Sequence, residues 1–189
     1  MPLNLPIVLT WLRVIAIPLL VALYYFPDPW MTLGERNLLA TVLFTGAAIT
    51  DWLDGWLARR WNQVSSFGAF LDPVADKLIV AAALIVLVEL DRVNAIIAFI
   101  IIGREITISA LREWMAKVGE ARSVAVNALG KFKTVAQLVA IPMLLYHSPI
   151  GPFQPQRIGT FLIWAAALLT VLSMVYYLKL AAPRAFRKR

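Results

Sequence analysis

"DWLDGWLARRWNQVSSFGAFLDPVADK" runs from Asp51 to Lys77 and holds four aspartates, Asp51, Asp54, Asp72 and Asp76. Apolar sequence long enough to cross a bilayer lies on both sides of it. Charged side chains at membrane depth are expensive and tend to serve function. The stretch therefore bears both on the class of the protein and on where its chemistry lies. Asp51 and Asp54 are three residues apart and share a helix face. Asp72 and Asp76, four apart, also share one. A short link joins the two helices, which makes them antiparallel and lets their carboxylates converge at one depth, near the cytoplasmic interface. Four carboxylates packed together repel. One divalent cation, or two sharing bridging carboxylates, is the natural remedy.

Composition agrees with a membrane setting. The chain has 189 residues, 61% of them hydrophobic, with a mean hydropathy of +0.76. Soluble domains sit nearer about 45–50% apolar. The expected fold is all-α, a single polytopic membrane domain over residues 1–189. Cysteine is absent and His147 is the lone histidine, so disulfides, thiolate metal sites and His-rich clusters are excluded. Any metal must sit on oxygen ligands, which favours Mg, Mn or Ca over Zn. The N-terminus has no signal-peptide cleavage pattern, and the apolar run from Leu3 reads as a first membrane helix that stays attached.

A spanning helix needs about 20 mostly apolar residues. Six candidates fit, at Leu5–Phe26, Asn37–Trp61, Phe67–Leu90, Val93–Trp114, Ala128–His147 and Ile158–Leu180. Turn or helix-stop residues separate them, among them Pro27-Asp28-Pro29, Asp91-Arg92 and the three prolines between Ser148 and Pro155. Pro18 and Pro142 fall inside helices and are expected to kink them. Basic residues set the orientation. Arg59, Arg60, Lys117, Arg122, Lys131, Lys133 and a basic C-terminal tail lie on one side, with only Arg36, Arg92 and Arg157 opposite. Both termini are thus expected in the cytoplasm. This bias, with attraction to anionic headgroups, accounts for the net charge of +7. Nucleic acid is not an expected partner, because no soluble basic domain is present.

Small residues lie beside the acids. Gly55 and Ala58 follow Asp51 and Asp54 by four, and Gly68 stands four before Asp72. They leave room for close approach to the backbone, and they equally permit tight helix crossings. Arg59, one turn beyond Gly55, can neutralise an anionic substrate in a bidentate way or anchor the helix at the interface. Arg104 and Arg112 are eight apart, within about 80° of each other on the helical wheel. With Lys131 and Lys133 they form a candidate anion site. Ion pairing of Arg104 with Glu105 or Glu113 is the alternative, and an interfacial lysine can simply snorkel. Trp30, Trp61, Trp114 and Tyr177 lie near expected helix ends and read as interfacial aromatic belts. Lys77 is read as facing away from Asp76 and is left out of the site.

The pattern Asp-x2-Asp-Gly-x2-Ala-Arg-x8-Gly-x3-Asp-x3-Asp, here Asp51, Asp54, Gly55, Ala58, Arg59, Gly68, Asp72 and Asp76, resembles the signature of the CDP-alcohol phosphotransferase family, without departure in type or spacing. "LNLPIVLTWLRVIAIP", "RRWNQVSSFGAFLDPVADK", "GREITISALREWMA" and "VAVNALGKFKT" extend the resemblance over most of the chain, toward the bacterial branch that makes phosphatidylglycerol phosphate. The weakest stretch is Pro149–Gln156. The resemblance implies six transmembrane helices around a cytoplasm-facing polar cavity, a homodimer in the bacterial cytoplasmic membrane, and CDP-diacylglycerol and glycerol 3-phosphate as substrates. It implies Mg2+ or Mn2+, two ions, held by Asp51, Asp54, Asp72 and Asp76, with Asp76 also the general base. Gly55, Ala58, Gly68 and Ser65 would lie at the CDP-diacylglycerol site, with Arg59 on its diphosphate. Arg104, Arg112, Lys131 and Lys133 would take the acceptor phosphate. Asn4 and Thr10 fall where a nucleotide contact or a helix cap is expected.

The chemistry is consistent with these residues. Phosphoryl transfer is catalysed mostly by positioning and charge stabilisation. No Ser–His pair or thiol offers itself as a covalent nucleophile, so direct displacement is the simpler expectation. Other acceptors within the family (inositol phosphate, serine, phosphatidylglycerol) remain open, as do two other classes. A cation transporter or channel is disfavoured by acids that cluster on one side. An aspartate-rich prenyltransferase is disfavoured by the lack of a second, separate aspartate motif.

Overall fold

A computed structural model of the chain describes residues 5–61, 66–117 and 128–185, with side chains 5–7, 52, 54–61, 66–69, 128–131 and 180–185 left outside the description. Those residues form six α-helices: α1 Leu5–Ala22, α2 Leu33–Trp61, α3 Ser66–Glu89, α4 Ala95–Lys117, α5 Ala128–Tyr146 and α6 Pro155–Ala185. A 3-10 turn, Leu23–Tyr25, extends α1. No strand occurs among the described residues, only an isolated bridge between Ile150 and Phe153.

Local chemistry explains the ends. α2 begins four residues before the expected apolar run because Thr32 and Glu35 form a capping box. The Thr32 amide donates to Glu35 Oε2 at 2.8 Å, and the Glu35 amide donates to Thr32 Oγ1 at 3.3 Å. Donation from the Thr32 amide and from its hydroxyl holds the Glu35 carboxyl below its ordinary range. α6 begins at Pro155, which lacks the amide hydrogen that a first helical turn leaves unbonded anyway. α3 closes through Asp91 at φ 55°, with the Arg92 amide bonded back to the Leu87 carbonyl at 2.9 Å. An aspartate tolerates that left-handed position better than most side chains.

α1 packs along both α2 and α3, and among the described residues those two touch each other less. α5 lies against α6 and α2, and α4 against α6 and α3. The core between them includes Leu20, Phe44, Ala83, Leu87, Ile101, Ile141 and Leu144, each fully or almost fully buried. α5 and α6 approach closely at Gly159, where a Cβ would stand 2.8 Å from Leu144 Cγ and 3.1 Å from the Ala140 carbonyl oxygen. At one end of the bundle Arg92 donates to the Leu144 and Leu145 carbonyls at 3.1 and 2.8 Å and to Asn37 Oδ1 at 3.0 Å. It thereby caps α5 and ties it to α2.

The exterior is apolar and the interior carries polar groups. Ile85, Phe99, Phe161, Trp164 and Leu168 are exposed, whereas Arg13, Arg104, Lys133, Gln137, Thr170 and Ser173 are buried. Water favours the opposite arrangement and a bilayer favours this one. The chain is a membrane protein. Val8–Tyr25 and Pro155–Lys179 are long and apolar enough, by length and composition, to cross a bilayer. α2, α3 and α4 carry the charged residues described next, which lowers their hydropathy.

Candidate active site

α1 carries two polar residues into the acidic region, Thr10 and Arg13. Arg13 Nη1 donates to Asp76 Oδ1 at 2.6 Å and lies 3.1 Å from Asp51 Oδ1. The Arg13 side chain is 1% exposed, against 45% for Asp51 and 40% for Asp76. Thr10 Oγ1 donates to Asp72 Oδ1 at 2.6 Å. Three of the four aspartates thus contact α1, and Asp51 of α2 and Asp76 of α3 meet at a single nitrogen. Asp51 and Asp76 both lie at Arg13 Nη1, and an all-oxygen donor set of this kind suits Mg2+ or Mn2+. Among the described residues no group of three acids or histidines forms a ready cage. The Asp54 side chain lies outside the description.

A second, basic region lies on α4 and α5. Arg104, 6% exposed, reaches Glu105 Oε1 at 3.4 Å through Nη1 and donates to Ser173 Oγ at 3.2 Å through Nη2. Lys133 of α5 also donates to Glu105 Oε1. Arg104 thus makes the ion pair with Glu105 that is the alternative to an anion site, and it also lines the cavity described next. Arg112 Nη2 lies 3.5 Å from the Tyr177 hydroxyl.

One cavity of about 490 Å³ connects the two regions. Arg13, Asp51, Asp76 and Lys77 line one part, and Arg104, Glu105 and Arg112 another. Thr134 and Gln137 of α5 also contribute to its wall. The buried Nε atoms of Arg104 and Arg112 and Nε2 of Gln137 have no hydrogen-bond partner among the described residues. Buried donors usually have partners, and these atoms are closed to solvent in this arrangement.

Two sequence readings need correction. Lys77 lines the cavity rather than facing away, because it stands four residues after Pro73 and three before Val80, on the stripe of α3 that forms the cavity wall. Tyr177 is no belt residue: it is 1% exposed and stands against Arg104 and Arg112. Arg13 is a site residue that sequence alone does not reveal; its only signal is an arginine inside an apolar run. Asp54, Gly55, Ala58, Arg59, Ser65, Gly68 and Lys131 lie outside the described side chains.

The family model for CDP-alcohol phosphatidyltransferase matches residues 3–172. Among curated proteins, a relative from Salmonella choleraesuis (strain SC-B67) is 48% identical over 183 residues, covering 96% of each chain. Relatives from Shigella flexneri and Escherichia coli (strain K12) are each 47% identical over the same coverage. All three bear the name CDP-diacylglycerol–glycerol-3-phosphate 3-phosphatidyltransferase.

Proposed function

Because the chain belongs to the CDP-alcohol phosphatidyltransferase family, we propose that this enzyme transfers the phosphatidyl group of CDP-diacylglycerol to glycerol 3-phosphate, giving phosphatidylglycerol phosphate and CMP. The observation that carries this reading is one cavity lined by Asp51 and Asp76 in one part and by Arg104 and Arg112 in another. Such a cavity suits a reaction whose donor is held through cations and whose acceptor is itself an anion.

The carboxylates of Asp51, Asp54, Asp72 and Asp76 would hold the divalent ions, Mg2+ or Mn2+. When bound, such ions neutralise diphosphate charge and polarise phosphoryl oxygens. Gly55, Ala58, Gly68 and Ser65 would flank the nucleotide, and Arg59 would contact the diphosphate. Arg104 and Arg112, with Lys131 and Lys133, would fix the acceptor phosphate and aim its free hydroxyl at the lipid-side phosphorus. Asp76 would accept the hydroxyl proton as the new P–O bond forms. The P–O bond to CMP breaks, and CMP leaves in line. Arg13 keeps the Asp76 carboxylate oriented meanwhile. In this reading the chain crosses the membrane six times and pairs as a homodimer. Both termini and the cavity mouth face the cytoplasm, where the water-soluble acceptor arrives.

The test is an acceptor panel. Purified enzyme with CDP-diacylglycerol and Mg2+ is offered glycerol 3-phosphate, inositol phosphate, serine or phosphatidylglycerol in turn. CMP release is measured and the lipid product identified. Rapid turnover is expected with glycerol 3-phosphate alone, and EDTA should abolish it. Faster turnover with another acceptor would replace the acceptor assignment.

A further inference from the structure

Tyr177 and Ser173 of α6 touch both cavity arginines without lining the cavity themselves. The Tyr177 ring centroid is 5.8 Å from the Arg104 guanidinium carbon and 5.5 Å from that of Arg112, within cation–π range of both. The hydroxyl of the same ring meets Arg112 Nη2. One turn earlier, Ser173 Oγ donates to the Thr170 carbonyl at 2.9 Å, which leaves its oxygen free to accept from Arg104 Nη2. The ring is itself clamped. Ile108 and Met115 of α4 form a small buried cluster with it, backed by Leu111 and Met174. Arg104, Ile108, Arg112 and Met115 share one face of α4 at helical spacing, so that face supplies both the guanidiniums and the clamp.

Two guanidiniums near one cavity repel each other and would tend to swing apart. A π face shared by both lowers that cost, and the α6 oxygens consume outer donors while the Nε atoms stay without a partner among the described residues. Each arginine is thereby fixed before any ligand arrives, so less side-chain ordering remains to oppose binding. We propose that Tyr177 and Ser173 are positioning residues which hold Arg104 and Arg112 at the separation that recognises the phosphomonoester of the acceptor. The proposal rests on reading the basic region as the acceptor site.

Steady-state kinetics on the full-length enzyme in detergent, varying each substrate separately, tests it. Tyr177→Leu should raise the KM for glycerol 3-phosphate about tenfold, with kcat and the KM for CDP-diacylglycerol within about twofold. Tyr177→Phe keeps the ring and should restore the acceptor KM to within about threefold of wild type. Ser173→Ala removes one oxygen and should raise it about three- to fivefold. It carries the test alone if Tyr177→Leu yields no folded protein. Acceptor KM values within about twofold of wild type for both Tyr177→Leu and Ser173→Ala would overturn the proposal, as would equal loss on both substrates. Arg112→Ala is the control. If it raises the acceptor KM and the α6 variants do not, the positioning role fails alone. If it too leaves the acceptor KM unchanged, the acceptor site is wrong and the positioning role falls with it.

Discussion

Arg13 Nη1 lies 2.6 Å from an Asp76 oxygen and 3.1 Å from an Asp51 oxygen, so one arginine of the first helix joins the carboxylates of the second and third. Its burial and their partial exposure set the energetics. Removing one partner of a fully buried pair costs about 3–5 kcal/mol. With acids open to solvent, about 1–3 kcal/mol is the better expectation. Arg13→Ala should therefore lower the thermal unfolding temperature in EDTA. It leaves two neighbouring acids without their counter-charge, so millimolar Mg2+ should stabilise this variant more than wild type. Melting curves with EDTA and with Mg2+ measure both. Equal Mg2+ stabilisation of the two proteins would remove Arg13 as the counter-charge of the acidic region.

Asp76→Asn keeps the size of the side chain and a carbonyl oxygen for Arg13, but cannot accept a proton. General-base catalysis contributes about 10²–10⁴ in rate, and kcat should fall by at least that much. CDP-diacylglycerol binding, followed by titration, should remain measurable. Near-normal turnover would move the base elsewhere.

Arg112→Ala deletes a guanidinium whose Nε is buried without a partner among the described residues. A charge-assisted hydrogen bond is worth about 1.5–3 kcal/mol, so the acceptor KM should rise about 10- to 100-fold. The KM for CDP-diacylglycerol should stay within about threefold. Arg112→Lys should recover only part of the loss, because an ammonium lacks the planar fork.

Gly159→Ala places a methyl 2.8 Å from Leu144 Cγ and 3.1 Å from a backbone oxygen of α5. Neither neighbour is the free end of a flexible side chain. Overpacking of this kind costs about 1–3 kcal/mol. The unfolding temperature should drop while both KM values hold, since the contact is away from the cavity-lining residues.

Much of this arrangement is legible along the chain. Apolar runs bounded by turn residues mark six helices, and the observed ends differ by a few residues, where caps such as Thr32–Glu35 extend a helix beyond its apolar part. Spacing alone pairs Asp72 with Asp76 and aligns Arg104 with Arg112. Arg13 is different. It meets Asp76 across 63 residues of sequence, and no periodicity says which helices become neighbours. A short link suggests that α2 and α3 pack together, yet α1 packs against both and supplies the cation between their acids. Tyr177 shows the same limit: an aromatic near a helix end fits an interfacial belt until the packing of α6 against α4 buries it. Lys77 shows that a cavity wall can be wider than the stripe of its acids: with Pro73 and Val80 it extends the face that carries Asp76.

Counting bound divalent ions tests the role of the acidic region most directly. Purified enzyme is titrated with Mn2+ in the presence of CDP-diacylglycerol, and free Mn2+ is followed by its electron paramagnetic resonance signal. Wild type should take up ions tightly, and Asp51→Ala and Asp76→Ala should each lose that uptake together with turnover. Wild-type protein that binds no Mn2+, or variants that bind as much as wild type, would contradict a catalytic metal site built where Asp51 and Asp76 meet.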